Sequence, residues 1–150
     1  MNEILDQISF YFETVPLWPF YLFSVLGVGA LAIEVINRKR KEDAIFNYRN
    51  TIETELSGMY PKPINWPKNV NKYLCSLLPE MQDNFETLRV FLPQNLLAEY
   101  NKDWNEYRDF CINISDEKCL AYNEPTDNEP HPKVVFHTLI TNLLKYPDKM

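Results

Sequence analysis

Apolar positions along the chain fall into two patterns: an unbroken run near the N-terminus, then a series of stripes at steps of three and four. The run is VPLWPFYLFSVLGVGALAIEVI, Val15 to Ile36, and its only charge is Glu34, close to the far end. A helix needs about 20 mostly apolar residues to cross about 30 Å of hydrocarbon, and Leu17 to Ile36 supplies them. The run therefore predicts a transmembrane helix over residues 15–37. Pro16 and Pro19 suit a first helical turn, where a missing N–H does little harm. Trp18 and Tyr21 suit the headgroup level. A cleavable signal would want a basic start and a shorter apolar core, whereas here an acidic start precedes the run and NRKRK follows it. A core helix of a soluble protein would show a polar face over such a length.

The stripes begin beyond the basic cluster. Ile45, Tyr48, Ile52, Leu56 and Met59 predict an amphipathic helix with Gly58 near its C-terminal cap and Pro61 beyond. No breaker separates Pro19 from Gly58, so this helix is expected to continue from the membrane span. Such a rod would be on the order of 60 Å long at 1.5 Å per residue. YPKPINWPKN is a proline-marked turn. Val70, Tyr73, Leu74, Leu77 and Leu78 predict a short helix that Pro79 ends or restarts, and Met81, Phe85, Leu88 and Leu92 a further one closed by Pro93. The clearest stripe is Leu97, Tyr100, Trp104, Tyr107, Cys111 and Ile114, with Glu99, Lys102, Asp103, Glu106, Arg108 and Asp109 expected on solvated faces. SDEKCLAYNEPTDNEPHPK reads as a long polar loop. A last apolar helix carries Val135, Leu139, Leu143 and Tyr146, with Phe136, Ile140 and Leu144 beside them. The expected fold is all-α: a short N-terminal segment (1–14), one transmembrane helix (15–37) and a helical domain (38–150) of four to five helices. The amphipathic positions Ile4, Leu5, Ile8, Tyr11 and Phe12 would let the first segment lie on the membrane surface.

Charge changes this picture by giving it a direction. Residues 1–37 contain no Lys or Arg, and the 15 basic residues all lie from Arg38 onward. Arg38, Lys39, Arg40 and Lys41 stand at the carboxyl end of the run, so the positive-inside rule puts the N-terminus outside and the domain in the cytoplasm. In a Gram-negative source the membrane would be the inner one. Residues 42–150 hold 11 basic and 17 acidic side chains, which leaves no electrostatic footprint for nucleic acid. The expected partners are the lipid bilayer and another protein.

Glu34 has two readings. It can snorkel to the cytoplasmic interface and pair with Arg38 four residues on. It can instead face another transmembrane helix, because charge deep in lipid costs about 3 kcal/mol or more. Its place near the end of the run favours the interface. The glycines Gly27 and Gly29 form no small-xxx-small pair, so the span carries little signal for self-association.

Catalytic chemistry is sparse. With three glycines in the chain, phosphate loops and nucleophile elbows have little to be built from, and none of their motifs occurs. Cys75, Cys111 and Cys119 make an odd count that suits free thiols in a reducing compartment. Cys111, Cys119, His131 and His137 have a metal-like order, but the cysteine gap is too wide for a zinc knuckle. The acidic pairs Asp116 with Glu117 and Asp127 with Glu129 lack a calcium loop's ordered spacing. No cofactor is expected.

The sequence thus predicts a single-pass membrane protein with a cytoplasmic interaction domain, an adaptor or small subunit rather than an enzyme. Tyr60 and Trp66 are its candidate partner-binding residues, since aromatic groups on a rigid proline turn suit an interface. The competing role for this pair is to cover the core between helices. Rival functions are a membrane-tethered metal-dependent enzyme using His131 or His137, and a transporter or channel accessory using Glu34.

Overall fold

A computed structural model describes Phe10, Pro16, residues 18–120 and residues 130–150. The N-terminal amphipathic segment, apart from Phe10, and the Asp127 and Glu129 pair lie outside the described residues. Among those residues the chain is all helical, without strands. It divides into two compact units, residues 1–40 and residues 41–150.

Helix α1, Trp18–Glu55, runs through both units without a break, as the missing breaker between Pro19 and Gly58 predicts. Over residues 20–33 its side chains are apolar on every face apart from Ser24, and all are exposed; Phe23 and Val25 are 71% and 70% open. In the second unit it becomes amphipathic and buries Ala44, Tyr48, Thr51 and Ile52. Leu56 and Met59, just past its end, continue the stripe into the core.

Helix α2, Val70–Arg89, is one element in which Pro79 is an interior residue. The sequence predicts two helices here, and the structure corrects this for a physical reason. Pro79 removes one N–H, the donor that would have reached the Cys75 carbonyl, and costs about 3 kcal/mol in a helix interior. It stands on the exposed face. Leu74, Met81, Phe85 and Leu88 stay in phase across it and are all buried. Burying each such side chain contributes about 1.5–3 kcal/mol, so the common stripe outweighs the proline.

A 3-10 turn, Gln94–Leu96, leads into α3, Leu97–Asn113. Its predicted stripe is buried from Tyr100 to Ile114, and Leu97 packs partly buried at its edge. Helix α3 is the centre of the domain and touches both α2 and α5, Pro132–Leu144. A short helix α4, Asp116–Leu120, bridges α2 and α5. Pro132 occupies the first turn of α5, and Nδ1 of His131 caps it by accepting from the Lys133 N–H at 3.2 Å. Phe136, Leu139, Ile140, Leu143 and Tyr146 are buried beneath it, the docking that so apolar a helix requires.

Two helix ends are satisfied across the fold. The Asn71 side chain donates to the Cys111 and Ile112 carbonyls at 3.2 and 3.0 Å, filling orphan acceptors at the end of α3. In return, Oδ1 of Asp116 accepts from the Asn71 N–H at 3.0 Å in the first turn of α2.

Candidate functional site

Three features bear on function: the exposed apolar helix with its cationic end, the proline-aromatic turn, and a polar cluster inside the domain. The first is built by composition alone. Among the described residues one helix is long and apolar enough to cross a membrane, and no residue of its 18-residue apolar window, of mean hydropathy 1.9, is buried. The hydroxyl of Ser24 donates back to the Phe20 carbonyl at 2.8 Å, so it presents no unsatisfied hydroxyl to an apolar environment. A side chain added at Gly27 or Gly29 would meet nothing within 4 Å. Glu34 and Arg38 are both exposed and stand one turn apart on α1. Lys39 and Arg40 are exposed as well, whereas Lys41 is half-buried and donates from Nζ to the Met150 carbonyl oxygen at 2.5 Å.

The turn after α1 is held by a close backbone approach. The Asn65 N–H donates to the Gly58 carbonyl at 2.9 Å, and a Cβ on Gly58 would sit 2.6 Å from the Asn65 oxygen. Gly58 is therefore required for closeness; its φ is not positive, so it is not a left-handed cap. The Tyr60–Pro61 peptide bond is cis. Tyr60 and Trp66, the residues singled out for partner binding, are both half-buried against α5. The Tyr60 ring lies 5.0 Å from His137, and its hydroxyl is 3.5 Å from Oγ1 of Thr141. The edge of Trp66 meets Phe136 at 5.4 Å, and the Lys133 ammonium stands 5.6 Å from the indole centroid. Trp66 Nε1 is buried without a hydrogen-bond partner. Most of what the pair touches is the core's own cover. The exposed apolar residue of the turn is Ile64, which is 82% open.

The polar cluster was not legible in the sequence. Asp103 was expected on a solvated face, yet it is only 7% exposed, while Glu99, Lys102, Glu106, Arg108 and Asp109 are exposed as expected. Its Oδ2 accepts from the Tyr146 hydroxyl at 2.6 Å and from Nζ of Lys145 at 2.9 Å. Lys145 also reaches Oε1 of Glu99 at 2.9 Å. Burial works against the Lys145 charge, but Glu99 and Asp103 outweigh it and raise its pKa. The same lysine lowers that of Glu99. Burial, then the bond to Asp103, pushes the Tyr146 phenol up. Asp103 lies three residues after Tyr100 and directly before Trp104, at the edge of the buried stripe, but nothing local points to Lys145 and Tyr146 as its partners.

Tyr48, Tyr100 and Tyr146 are fully buried at this cluster, and Tyr107 is fully buried one turn further along α3. The Tyr100 hydroxyl donates to the Phe85 carbonyl at 3.2 Å, and its ring stacks on Phe85 at 4.3 Å. The Tyr107 hydroxyl is buried without a hydrogen-bond partner, and the Cys111 thiol one turn on is its polar neighbour.

Cys75 and Cys111 meet, the Cys75 Sγ donating to the Cys111 carbonyl at 3.6 Å, but no histidine joins them. Cys111 and Cys119 are buried and Cys75 is half-buried, all as free thiols. Burial pushes the Cys111 thiol up to about 12, which makes it a poor thiolate ligand or nucleophile. The two histidines serve different neighbours, His131 capping α5 and His137 facing Tyr60. Among the described residues no three His, Cys, Asp or Glu side chains are grouped to hold a metal ion. No protein family, curated protein or solved structure matches the chain.

Proposed function

We propose that this is a single-pass membrane protein whose helical domain binds another protein, serving as an adaptor or small subunit of a membrane complex. The observation that carries the reading is the contrast within α1. Its first half exposes an apolar surface on all sides, which water does not favour and a bilayer does, and its second half buries one stripe in a folded core. Arg38, Lys39, Arg40 and Lys41 at the junction, with no cation before them, support an outside N-terminus and a cytoplasmic domain. The adaptor role is supported by an aromatic-rich core joined to a proline-marked turn that exposes Ile64 beside Lys62 and Lys68.

The test is solubilisation of the tagged full chain from its own cells in mild detergent, followed by native electrophoresis and mass spectrometry. A reproducible partner at fixed stoichiometry is the expected result. A monodisperse, partner-free particle under every mild condition would end the adaptor reading, and recovery in the soluble fraction without detergent would end the membrane reading.

A further inference from the structure

Residues 56–79 carry Lys62, Lys68 and Lys72 and no Asp or Glu, although residues 42–150 as a whole are net acidic. The same stretch supplies most of the lining of two open surface hollows, of about 400 and about 300 Å³, that share Pro67 and Tyr73. Lys68, Lys72 and Ser76 line the larger one, all three on exposed positions, Lys68 in the turn just before α2 and Lys72 in its first turn. Thr54, Ser57, Asn65 and Glu55 line the smaller one. The wall between them is fixed: the Tyr73 hydroxyl donates to the Glu55 carbonyl at 2.6 Å, and Gly58 and Asn65 are locked backbone to backbone.

We infer that this two-lobed cleft receives an acidic, extended segment of a partner protein, with a carboxylate between Lys68 and Lys72 and the segment's main chain over Pro67 and Tyr73. The inference rests on the reading of the domain as partner-binding and supplies that partner's chemistry. Charge decides the orientation. The larger lobe is lined by two lysines and no acid, while Asp116 is held by the Asn71 N–H and Glu55 lines the smaller lobe. Because Asp116 already occupies the first turn of α2, the lysine side chains and not the helix end do the recognising. The smaller lobe offers the hydroxyls of Thr54 and Ser57 and the Asn65 amide, groups that pair with a peptide backbone. Ile64, next to Asn65 and wide open to solvent, adds apolar contact at the rim. The hydrogen-bonding groups of the smaller lobe favour a peptide over a lipid surface, which would need only the charges.

The probe is a short fluorescein-labelled peptide of alternating glutamate and leucine, titrated by anisotropy against the full chain in phosphatidylcholine nanodiscs. Saturable binding is expected, weakening with salt. It should fall at least about tenfold for the Lys68→Glu, Lys72→Glu double variant and for a glutamine version of the peptide. Lys102→Glu, on the exposed face of α3, should leave it unchanged. Both lysines are exposed, so the double variant keeps its fold, checked by its melting curve. Equal affinity for the double variant, equal affinity for the glutamine peptide, or no saturable binding overturns the inference. So does binding to phosphatidylserine vesicles that is lost in the double variant while the peptide is ignored. A partner that still co-purifies with the double variant at full stoichiometry would sink the cleft and leave the adaptor reading standing. Lysine-dependent peptide binding by a chain that yields no cellular partner would do the reverse.

Discussion

The Tyr146 hydroxyl donates to Oδ2 of Asp103 at 2.6 Å, and both side chains are buried. Asp103 lies on α3 and Tyr146 just past α5, so this bond, with the Lys145 ion pair beside it, ties the end of α5 to the central helix. A buried carboxylate is tolerable only when its oxygens are filled. Tyr146→Phe removes one donor and is expected to cost about 1–2 kcal/mol. Asp103→Ala strands the partly buried Lys145 and the Tyr146 hydroxyl together and is expected to cost about 2–4 kcal/mol. Chemical denaturation of the full chain in detergent, followed by Trp fluorescence, checks both, and the double variant should cost less than the two losses added, because they share one bond.

Alkali should weaken this domain earlier than its charge suggests. Burial raises Cys111 from near 9 to about 12 and pushes Tyr48, Tyr100, Tyr107 and Tyr146 above their ordinary value near 10. These groups stay protonated in the folded state while their unfolded counterparts lose protons, so the unfolded state binds fewer protons and stability falls as pH rises. Lys145, also raised, has the same sign: its contribution is full below its ordinary value near 10.5 and fades as pH climbs through the higher folded value. The decline should begin near pH 9, where a cysteine ordinarily titrates, and steepen past 10 with the tyrosines. Each group removes about 1.4 kcal/mol per pH unit within its window. Denaturation midpoints across this range check it, and Cys111→Ala should flatten the part of the decline between 9 and 10.

Pro79 offers a stabilising substitution. Since α2 passes through it on the exposed face, Pro79→Ala restores an N–H to the Cys75 carbonyl without disturbing the buried stripe. A gain of roughly 1–3 kcal/mol is expected. The denaturation midpoint reads it directly; a loss would mean that the proline shapes the helix for a purpose the core does not reveal.

What the sequence could and could not convey follows from the range of the forces involved. The stripe from Tyr100 to Ile114 and the stripe beneath α5 were legible because one helical period sorts side chains by face, and burial follows the face. The single helix across Pro79 was not, because local proline chemistry argues for a break and only packing against α3 argues against it. Asp103 was misread for a related reason: its partners, Lys145 and Tyr146, are more than forty residues away in sequence, and periodicity carries no information about them. Asn71 and Asp116, which close helix ends across the fold, were silent for the same cause. Of the candidate functional features, the long apolar helix and its cationic end were plain in composition. The Lys68 and Lys72 cleft needed the turn's closure by Gly58 and Asn65, a contact no motif announces.

The end of the span provides the remaining test. Arg38, Lys39, Arg40 and Lys41 form the one asymmetry of cations about the apolar run, so removing them should remove the preference for orientation. Replacing all four with Gln is expected to give a mixed population, read by protease protection of the domain in intact cells against lysed ones: protected in the natural chain, partly cleaved in the variant. Glu34 separates two mechanisms in the same assay. As an interfacial side chain it snorkels to water, and Glu34→Gln should leave orientation and partner recovery unchanged. Were it facing a second helix within the bilayer, where an unpaired charge costs about 3 kcal/mol or more, the same change would alter assembly while orientation held. Its place near the end of the apolar run, one turn before Arg38, puts the expectation on the first outcome.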